Sequence, residues 1–332
     1  MSGAVRVVVV MGGVSSEHAV SMQSGANVLK YLDAQRYAVT QAVITETGQW
    51  VFGDGGGEHL SEEDAFPALK LMETDCVFIA LHGPNGEDGR IQWLLDDAGI
   101  RYTGSGSAAS AIAMDKVRSK EVASQAGIRV GKQVVFQADA WPAEREALTG
   151  RVEDELGFPC VVKSPQQGSS LGMAMPQKVT DFADAVDAVI PYGPVVMVEE
   201  FLSGVELTCG VLDAKKDGAP IAMPVTEIRP KAAGFFDYHA KYTPGATDEI
   251  TPAEINDDVR DHVQQMALLA HELIGCSGFS RSDMILTGDE VVWLEINTIP
   301  GLTDTSLFPQ AAVVAGMTLP ELYGTLVEAA LE

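Results

Sequence analysis

The run Val5-Arg6-Val7-Val8-Val9-Val10, broken by Gly12-Gly13, constrains this chain more than any other stretch. A β-branched run that is apolar at odd and even positions alike has no side to turn toward water. It therefore predicts a strand covered on both faces, as in parallel sheets flanked by helices. A helix over 21–32, strands over 39–44 and 76–81 and a helix over 91–98 extend this into a small open α/β sheet. Ligands of such sheets bind at loops beyond the carboxyl ends of the strands, and the loops 12–18 and 82–89 qualify. Gly104-Ser105-Gly106-Ser107 reads as a hinge. Beyond it the pattern predicts helices over 107–125, 143–156 and 180–189 around a strand over 160–163. Strands over 195–202, 206–212 and 221–227 follow. Residues 231–252 are polar, contain Gly and Pro, and are too long for a plain connection, which predicts a functional loop. Val259, Val263, Met266, Ala267, Ala270, Leu273 and Ile274 recur at helical spacing, predicting a helix over 257–274 with one buried stripe.

Charge narrows the partners. The 332 residues carry 22 Lys+Arg against 47 Asp+Glu, a net charge of −25. Such a field repels polyanions, which argues against nucleic acid and anionic membrane as partners. An anionic ligand must then be gripped by a local set of cations and backbone N–H groups, so each well-placed Lys or Arg is informative. Cys76, Cys160, Cys209 and Cys276 form no C-x-x-C pair, which excludes a zinc ribbon or dithiol motif and suits reduced core thiols. The first apolar run is too short for a signal segment, and no stretch approaches the ~18 apolar residues of a membrane span. A cytoplasmic location is the expectation.

The segment from Arg281 to Asn297 reads as a hairpin, with strands on either side of a Gly288-Asp289 turn. Alternation places Met284, Leu286, Val292, Leu294 and Ile296 on a core face and Arg281, Asp283, Glu295 and Asn297 on the other. A three-residue connection over 288–290 sets Asp283 opposite Glu295 and Arg281 opposite Asn297. Two carboxylates and an amide oxygen suit a hard cation such as Mg²⁺, which shares its oxygen ligands with phosphate. A solvated sheet face carrying an Arg–carboxylate pair fits the same pattern. The next stretch, residues 298–307, is rich in hydroxyls and contains Gly301, and it reads as a substrate loop.

Lys163 ends an apolar strand and precedes Gly168-Ser169-Ser170-Leu171-Gly172. Glycines and serines let backbone N–H groups approach phosphate, and a strand-end lysine adds a point charge. A lysine lying along the surface beside a loop is the equal alternative. Neither a P-loop nor a dinucleotide fingerprint occurs. Glu199 and Glu206 suit either surface charge or acceptance from an adenine amino group and ribose hydroxyls. Lys116, His18, His82, Lys241 and Tyr242 each admit an ordinary surface or packing role when taken singly.

Taken in order, the motifs resemble the D-alanine–D-alanine ligase family of the ATP-grasp superfamily, over nearly the whole chain. The landmarks are Gly12-Gly13-Val14-Ser15-Ser16-Glu17-His18, His82-Gly83 with Gly86-Glu87-Asp88-Gly89, Tyr102-Thr103-Gly104-Ser105-Gly106 and Met114-Asp115-Lys116. Gly168-Ser169-Ser170-Leu171-Gly172 and Tyr238-His239-Ala240-Lys241-Tyr242 continue the set. Arg281-Ser282-Asp283, Leu294-Glu295-Ile296-Asn297-Thr298, Pro300-Gly301 and Ser306-Leu307 complete it. The chain departs from the family pattern at Ser164, Gln167, Glu200, Ile299 and Thr305.

The resemblance implies an α/β ATP-grasp architecture in three domains. These are an N-terminal open α/β substrate-side domain over 1–104, a central subdomain with the Gly-Ser-Ser loop over 105–195, and a C-terminal subdomain with the metal hairpin over 196–332. It implies ATP held by Lys116, Lys163, Ser170, Glu199, Glu206 and Lys241. Two Mg²⁺, with Mn²⁺ as a substitute, would sit on Asp283, Glu295 and Asn297. Glu17 and His82 would receive the first D-alanine, and Ser306 and Leu307 the carboxylate of the second. Glu17, Ser169 and Tyr242 would form a hydrogen-bonded set closing the loop, and a homodimer is implied.

The implied reaction makes peptidoglycan precursor. One D-alanine carboxylate takes the γ-phosphoryl of ATP, and the resulting acyl phosphate is attacked by the amine of the second D-alanine, with Arg281 and the backbone N–H of Gly301 on the oxyanion. The alternatives are D-serine or D-lactate as the second substrate, a bicarbonate-dependent carboxylase of the same superfamily, and a catalytically silent nucleotide-binding regulator.

Overall fold

A computed structural model describes residues 4–54, 56–168, 171–214, 218–231 and 247–332. The opening run forms β1 (Val5–Gly12), buried from Val7 onward and paired in parallel with β2 (Tyr37–Ile44) and β5 (Cys76–Ile79). Two short antiparallel strands, β3 (Trp50–Phe52) and β4 (His59–Leu60), extend the β2 edge, giving the order β4-β3-β2-β1-β5. The helix His18–Tyr31 leaves the carboxyl end of β1, and Arg90–Ala98 leaves the loop after β5. Both expected ligand loops thus open on one edge of this sheet.

The second sheet is antiparallel, with β6 (Gln133–Gln137), β7 (Cys160–Lys163), β8 (Met173–Ala174) and β9 (Val195–Glu200) in the order β6-β9-β7-β8. Its even positions Val134, Phe136, Cys160, Val162, Val196 and Val198 pack on Trp141 and Phe182 in one core. Period-two alternation therefore gives the other face to Gln133, Lys163, Met197 and Glu199. The third sheet holds β10 (Val205–Leu212), β11 (Ile221–Ala222), β12 (Thr226–Pro230), β13 (Thr247–Ile250), β14 (Phe279–Thr287) and β15 (Glu290–Asn297). Its path is β13-β12-β10-β14-β15, with β11 on β10. The expected strand over 221–227 is two strands, and the expected loop over 231–252 contains β13, which pairs Glu227 with Ile250. Residues 232–246 lie outside the described set.

Two corrections bear on the site. The single helix expected over 107–125 is two, Ser107–Met114 and Lys116–Gln125. Asp115 between them is extended, and its carboxylate accepts from the N–H groups of Val117 and Arg118. An N-cap aspartate satisfies two donors a new helix would otherwise leave bare, and it makes Lys116 the first residue of the second helix. The hairpin differs as well. Its turn has two residues, because Thr287 pairs with Glu290, and a bulge at Leu294 restores the register so that Asp283 faces Glu295 and Arg281 faces Asn297. The core face therefore switches parity: Met284, Val291, Trp293 and Ile296 share a core, whereas Leu294 is only half buried.

Helices do not all stay with the sheet of their own stretch. Ala109, Ala113 and Ala123 pack with Leu207, Cys209 and Met284 of the third sheet, and the stripe of Asp257–Ile274 closes that core. The last helix, Leu319–Leu331, begins with a Thr318–Glu321 capping box and returns to the first sheet, where Tyr323 meets Phe78 edge-on. Burial pushes the Cys76 and Cys209 thiols up to about 12 and Cys160 to about 11, so these are unreactive core groups. Among the described residues no helix is long and apolar enough to cross a membrane.

Candidate active site

A cavity of about 750 Å³ opens where the three sheets meet, and Glu17, His82, Lys116, Glu206, Arg281, Asp283, Glu295, Asn297, Gly301, Ser306 and Leu307 all line it. From the first sheet, Glu17 sits at the N-cap position of His18–Tyr31 and is buried. A Cβ on Gly83 would lie 2.4 Å from its Oε2, and one on Gly168 would lie 2.9 Å away. The carboxylate is therefore wedged between glycine backbones of two different sheets' loops. Gly83 has φ of +74°, a conformation that favours glycine. His82 is buried beside it, with Nε2 2.7 Å from Ser24 Oγ and its backbone N–H donating to Ser21 Oγ at 2.9 Å.

The hairpin supplies the opposite wall. Arg281 donates through Nε and Nη2 to the two oxygens of Asp283, each at 2.8 Å. Burial works against the Arg281 charge, but Asp283, Glu295 and Glu87 together hold it more firmly protonated than usual. Asp283 also accepts from Thr208 Oγ1 at 2.8 Å. Glu295 is met by the Lys116 ammonium at 3.0 Å, and Lys116 donates to the carbonyl of Gln167 at 3.0 Å. The Asn297 amide oxygen accepts from the Ile299 N–H at 2.9 Å, which fixes its orientation.

Among the described residues no group of three or more His, Cys, Asp or Glu forms a metal cluster. The donor set at the hairpin is instead two carboxylates and one amide oxygen on neighbouring cross-strand pairs. All are hard oxygen donors beside a cavity large enough for a phosphate chain, and that chemistry fits Mg²⁺. Each carboxylate is neutralised here by a cation of the chain.

The substrate loop closes the cavity. Ser306 stands just before the helix Leu307–Val314; the Thr303 N–H donates to its Oγ at 3.0 Å, and a Cβ on Gly301 would stand 2.7 Å from that oxygen. Glu249 and Gln310, absent from the sequence reading, also line the cavity, with the Gln310 amide donating to Glu249 at 3.2 Å. Burial pushes the Glu249 carboxyl up, while Gln310 and Arg281 pull it back. Their signal was weak, since Glu249 lies in a stretch read as loop.

Lys163 and Glu199 lie apart from the cavity lining. The Lys163 ammonium pairs with one oxygen of Glu199, and the Lys120 ammonium pairs with the other. Burial works against the Glu199 charge, yet the two lysines outweigh it and hold its carboxyl down to about 2. Lys120 escaped the sequence reading, though it stands one helical turn after Lys116 and so shares its face. Ser169, Ser170, Lys241 and Tyr242 lie outside the described residues.

Two family models match the chain: D-ala D-ala ligase N-terminus over residues 6–105 and D-ala D-ala ligase C-terminus over residues 122–328. A D-alanine--D-alanine ligase of Desulforudis audaxviator is 41% identical over 328 residues, covering 98% of this chain and 99% of the relative. Among solved structures, the VanG D-Ala:D-Ser ligase of Enterococcus faecalis aligns with a TM-score of 0.84 at 30% identity, over 99% of this chain and 100% of that one. The D-alanine--D-alanine ligase of Bacillus anthracis complexed with ATP aligns with a TM-score of 0.79 at 29% identity, over 99% and 98% of the two chains.

Proposed function

The chain belongs to the D-alanine–D-alanine ligase family, and from that premise we propose how its residues divide the work of joining two D-alanines at the expense of ATP. The carrying observation is convergence: Glu17, Lys116, Arg281, Asp283, Glu295, Asn297, Gly301 and Ser306 line one cavity although the sequence scatters them over most of its length.

A carboxylate is a poor electrophile, and an ammonium is no nucleophile. The reaction must first activate the acid and then bring a free amine to it. In the first step a D-alanine carboxylate oxygen attacks the γ-phosphorus of ATP and ADP leaves, giving a D-alanyl phosphate. Two anions meet here, and Lys116, Lys163 and Lys241 are suited to neutralise them. Bound Mg²⁺, held by Asp283, Glu295 and Asn297, would add charge neutralisation at the phosphates. Glu17 is suited to the ammonium of this first D-alanine, because it brings a buried carboxylate to the end of the cavity formed by the first sheet. In the second step the amine of the other D-alanine attacks the acyl carbon and phosphate leaves. Arg281 and the Gly301 N–H are the donors suited to the oxyanion, and Ser306 and Leu307 to the second carboxylate. Enclosure matters because acyl phosphates hydrolyse.

We keep the three-domain division at 1–104, 105–195 and 196–332, with the segment 107–128 of the second packing on the third sheet and the last helix of the third packing on the first. We also place the enzyme in the cytoplasm, where ATP and reduced thiols are available, and as a homodimer. Exposed Leu71 and Trp93 support the latter, standing on helices tied by the Arg90–Glu62 ion pair.

The decisive assay is ADP release from Mg²⁺ATP across D- and L-amino acids and D-lactate. D-Alanine alone should support release and yield a dipeptide. D-Serine preferred over D-alanine would move the chain toward the activity named for the Enterococcus faecalis neighbour. Nucleotide binding without ADP release would favour the silent regulator.

A further inference from the structure

Among the described residues Lys120 is the one charged side chain of the large ones that are fully buried, 1% exposed, and nothing in the reaction scheme uses it. It stands on the helix Lys116–Gln125, one turn beyond the cavity-lining Lys116, and reaches across to Glu199 on β9. The contact is divided cleanly. Lys120 takes Oε1 of Glu199 and Lys163 takes Oε2, so the two lysines do not compete for one oxygen. Their surroundings differ too: the Lys163 side chain is 16% exposed and the Lys120 side chain 1%. Only Lys163 has a route out toward a ligand.

Consider the charges. With both lysines in place the buried trio carries a net +1. If Lys163 turned to a phosphate and Lys120 were absent, Glu199 would remain as a lone buried carboxylate, an arrangement that is strongly disfavoured. With Lys120 present, the departure of Lys163 leaves a neutral, hydrogen-bonded Lys120–Glu199 pair. We infer that Lys120 is a positioning residue for nucleotide binding: it keeps Glu199 neutralised so that Lys163 is free to exchange Glu199 for the phosphates of ATP. This rests on the ligase reading, which gives Lys163 its phosphate role. The depressed Glu199 carboxyl agrees with a group that stays charged throughout. The inference also accounts for two lysines on one face of a helix: Lys116 serves the cavity and Lys120 the store of charge behind it.

The test is a double-mutant cycle on the full-length enzyme. Lys120→Met keeps the aliphatic length and removes the charge. It should raise KM for ATP by about 10- to 100-fold, the range expected for coupled buried charges, with a smaller change in kcat or in KM for D-alanine. Adding Glu199→Gln removes the carboxylate that detains Lys163, and the double variant should then bind ATP about as well as Glu199→Gln alone. A role in packing alone predicts additive defects instead. An unchanged KM for ATP in Lys120→Met, or additivity in the cycle, overturns the inference. Should Lys120→Met fail to fold, recovery of a folded protein in the double variant supports the charge argument, and failure of both assigns Lys120 to packing. If wild-type enzyme releases no ADP with D-alanine, the ligase reading falls, whatever the cycle gives.

Discussion

The helix Lys116–Gln125 supplies one lysine to each of two carboxylate–cation sets, and Lys120 is the member with the least access to water. On the cavity side, Arg281, Asp283, Glu295 and Lys116 form two pairs with partial exposure. In the other set Lys120 and Glu199 are closed off from water, whereas Lys163 is 16% exposed, much like Arg281 and Lys116. Near water, a charge that loses its partner is resolvated and can take a ligand instead. Around the closed Lys120–Glu199 pair a lost partner has no substitute. The first arrangement suits chemistry, where partners must be exchanged, and the second suits holding a fixed charge.

Changes to the cavity set should cost rate far more than stability. Arg281→Ala should lower kcat by about 10²–10³, the usual cost of one oxyanion donor, and leave ATP affinity near wild type. Steady-state ADP release beside equilibrium nucleotide binding measures both, and unchanged turnover would remove Arg281 from the second step. A smaller effect is expected from Thr208→Val, which deletes only the hydroxyl donor to Asp283. It should raise the Mg²⁺ needed for half-maximal turnover by about tenfold, as for other partners of metal ligands; a metal titration of activity reads this directly.

The closed Lys120–Glu199 pair should show itself in stability. The Glu199 carboxyl is held at about 2 in the folded chain, below its ordinary value of 4.5. Between those values the unfolded chain binds the proton first, so its contribution is intact above pH 4.5 and is lost as pH falls toward 2. Urea midpoints from pH 6 to pH 3 should drop, and less steeply in Glu199→Gln. A third enclosed group gives the smallest expected change. His271 is buried with Nδ1 2.7 Å from Ser280 Oγ and Asp213 3.9 Å from Nε2. Burial lowers its basicity from 6.5 more than Asp213 restores it. Its contribution is therefore complete above pH 6.5 and declines below it, and His271→Gln should flatten the stability curve between pH 6.5 and 5.

These regions are unequally legible in the sequence. The hairpin pairing of Asp283 with Glu295 was legible because the two strands are contiguous and joined by a short turn. The route to it was wrong in detail: a two-residue turn alone would set Asp283 against Leu294, and the bulge makes up the difference. Asp115 was legible as a cap only in hindsight, since Met114-Asp115-Lys116 sits within an unbroken helical pattern. Lys120 was invisible, because a lysine among Val117, Ser119 and Glu121 reads as solvated surface. Its partner lies 79 residues away.

The sequence by itself determined what depends on near neighbours: the doubly covered β1, the amphipathic helix Asp257–Ile274, the glycine-bearing loops and the order of the family motifs. These follow from periodicities of two and of 3.6 and from backbone freedom at glycine. Tertiary structure alone decided which charges meet. It seated Glu17 between Gly83 and Gly168, and it sealed Lys120 onto Glu199 while leaving Lys163 a way out. Those pairings depend on burial and on distances between strands far apart in the chain, where electrostatic strength is set by how much water remains.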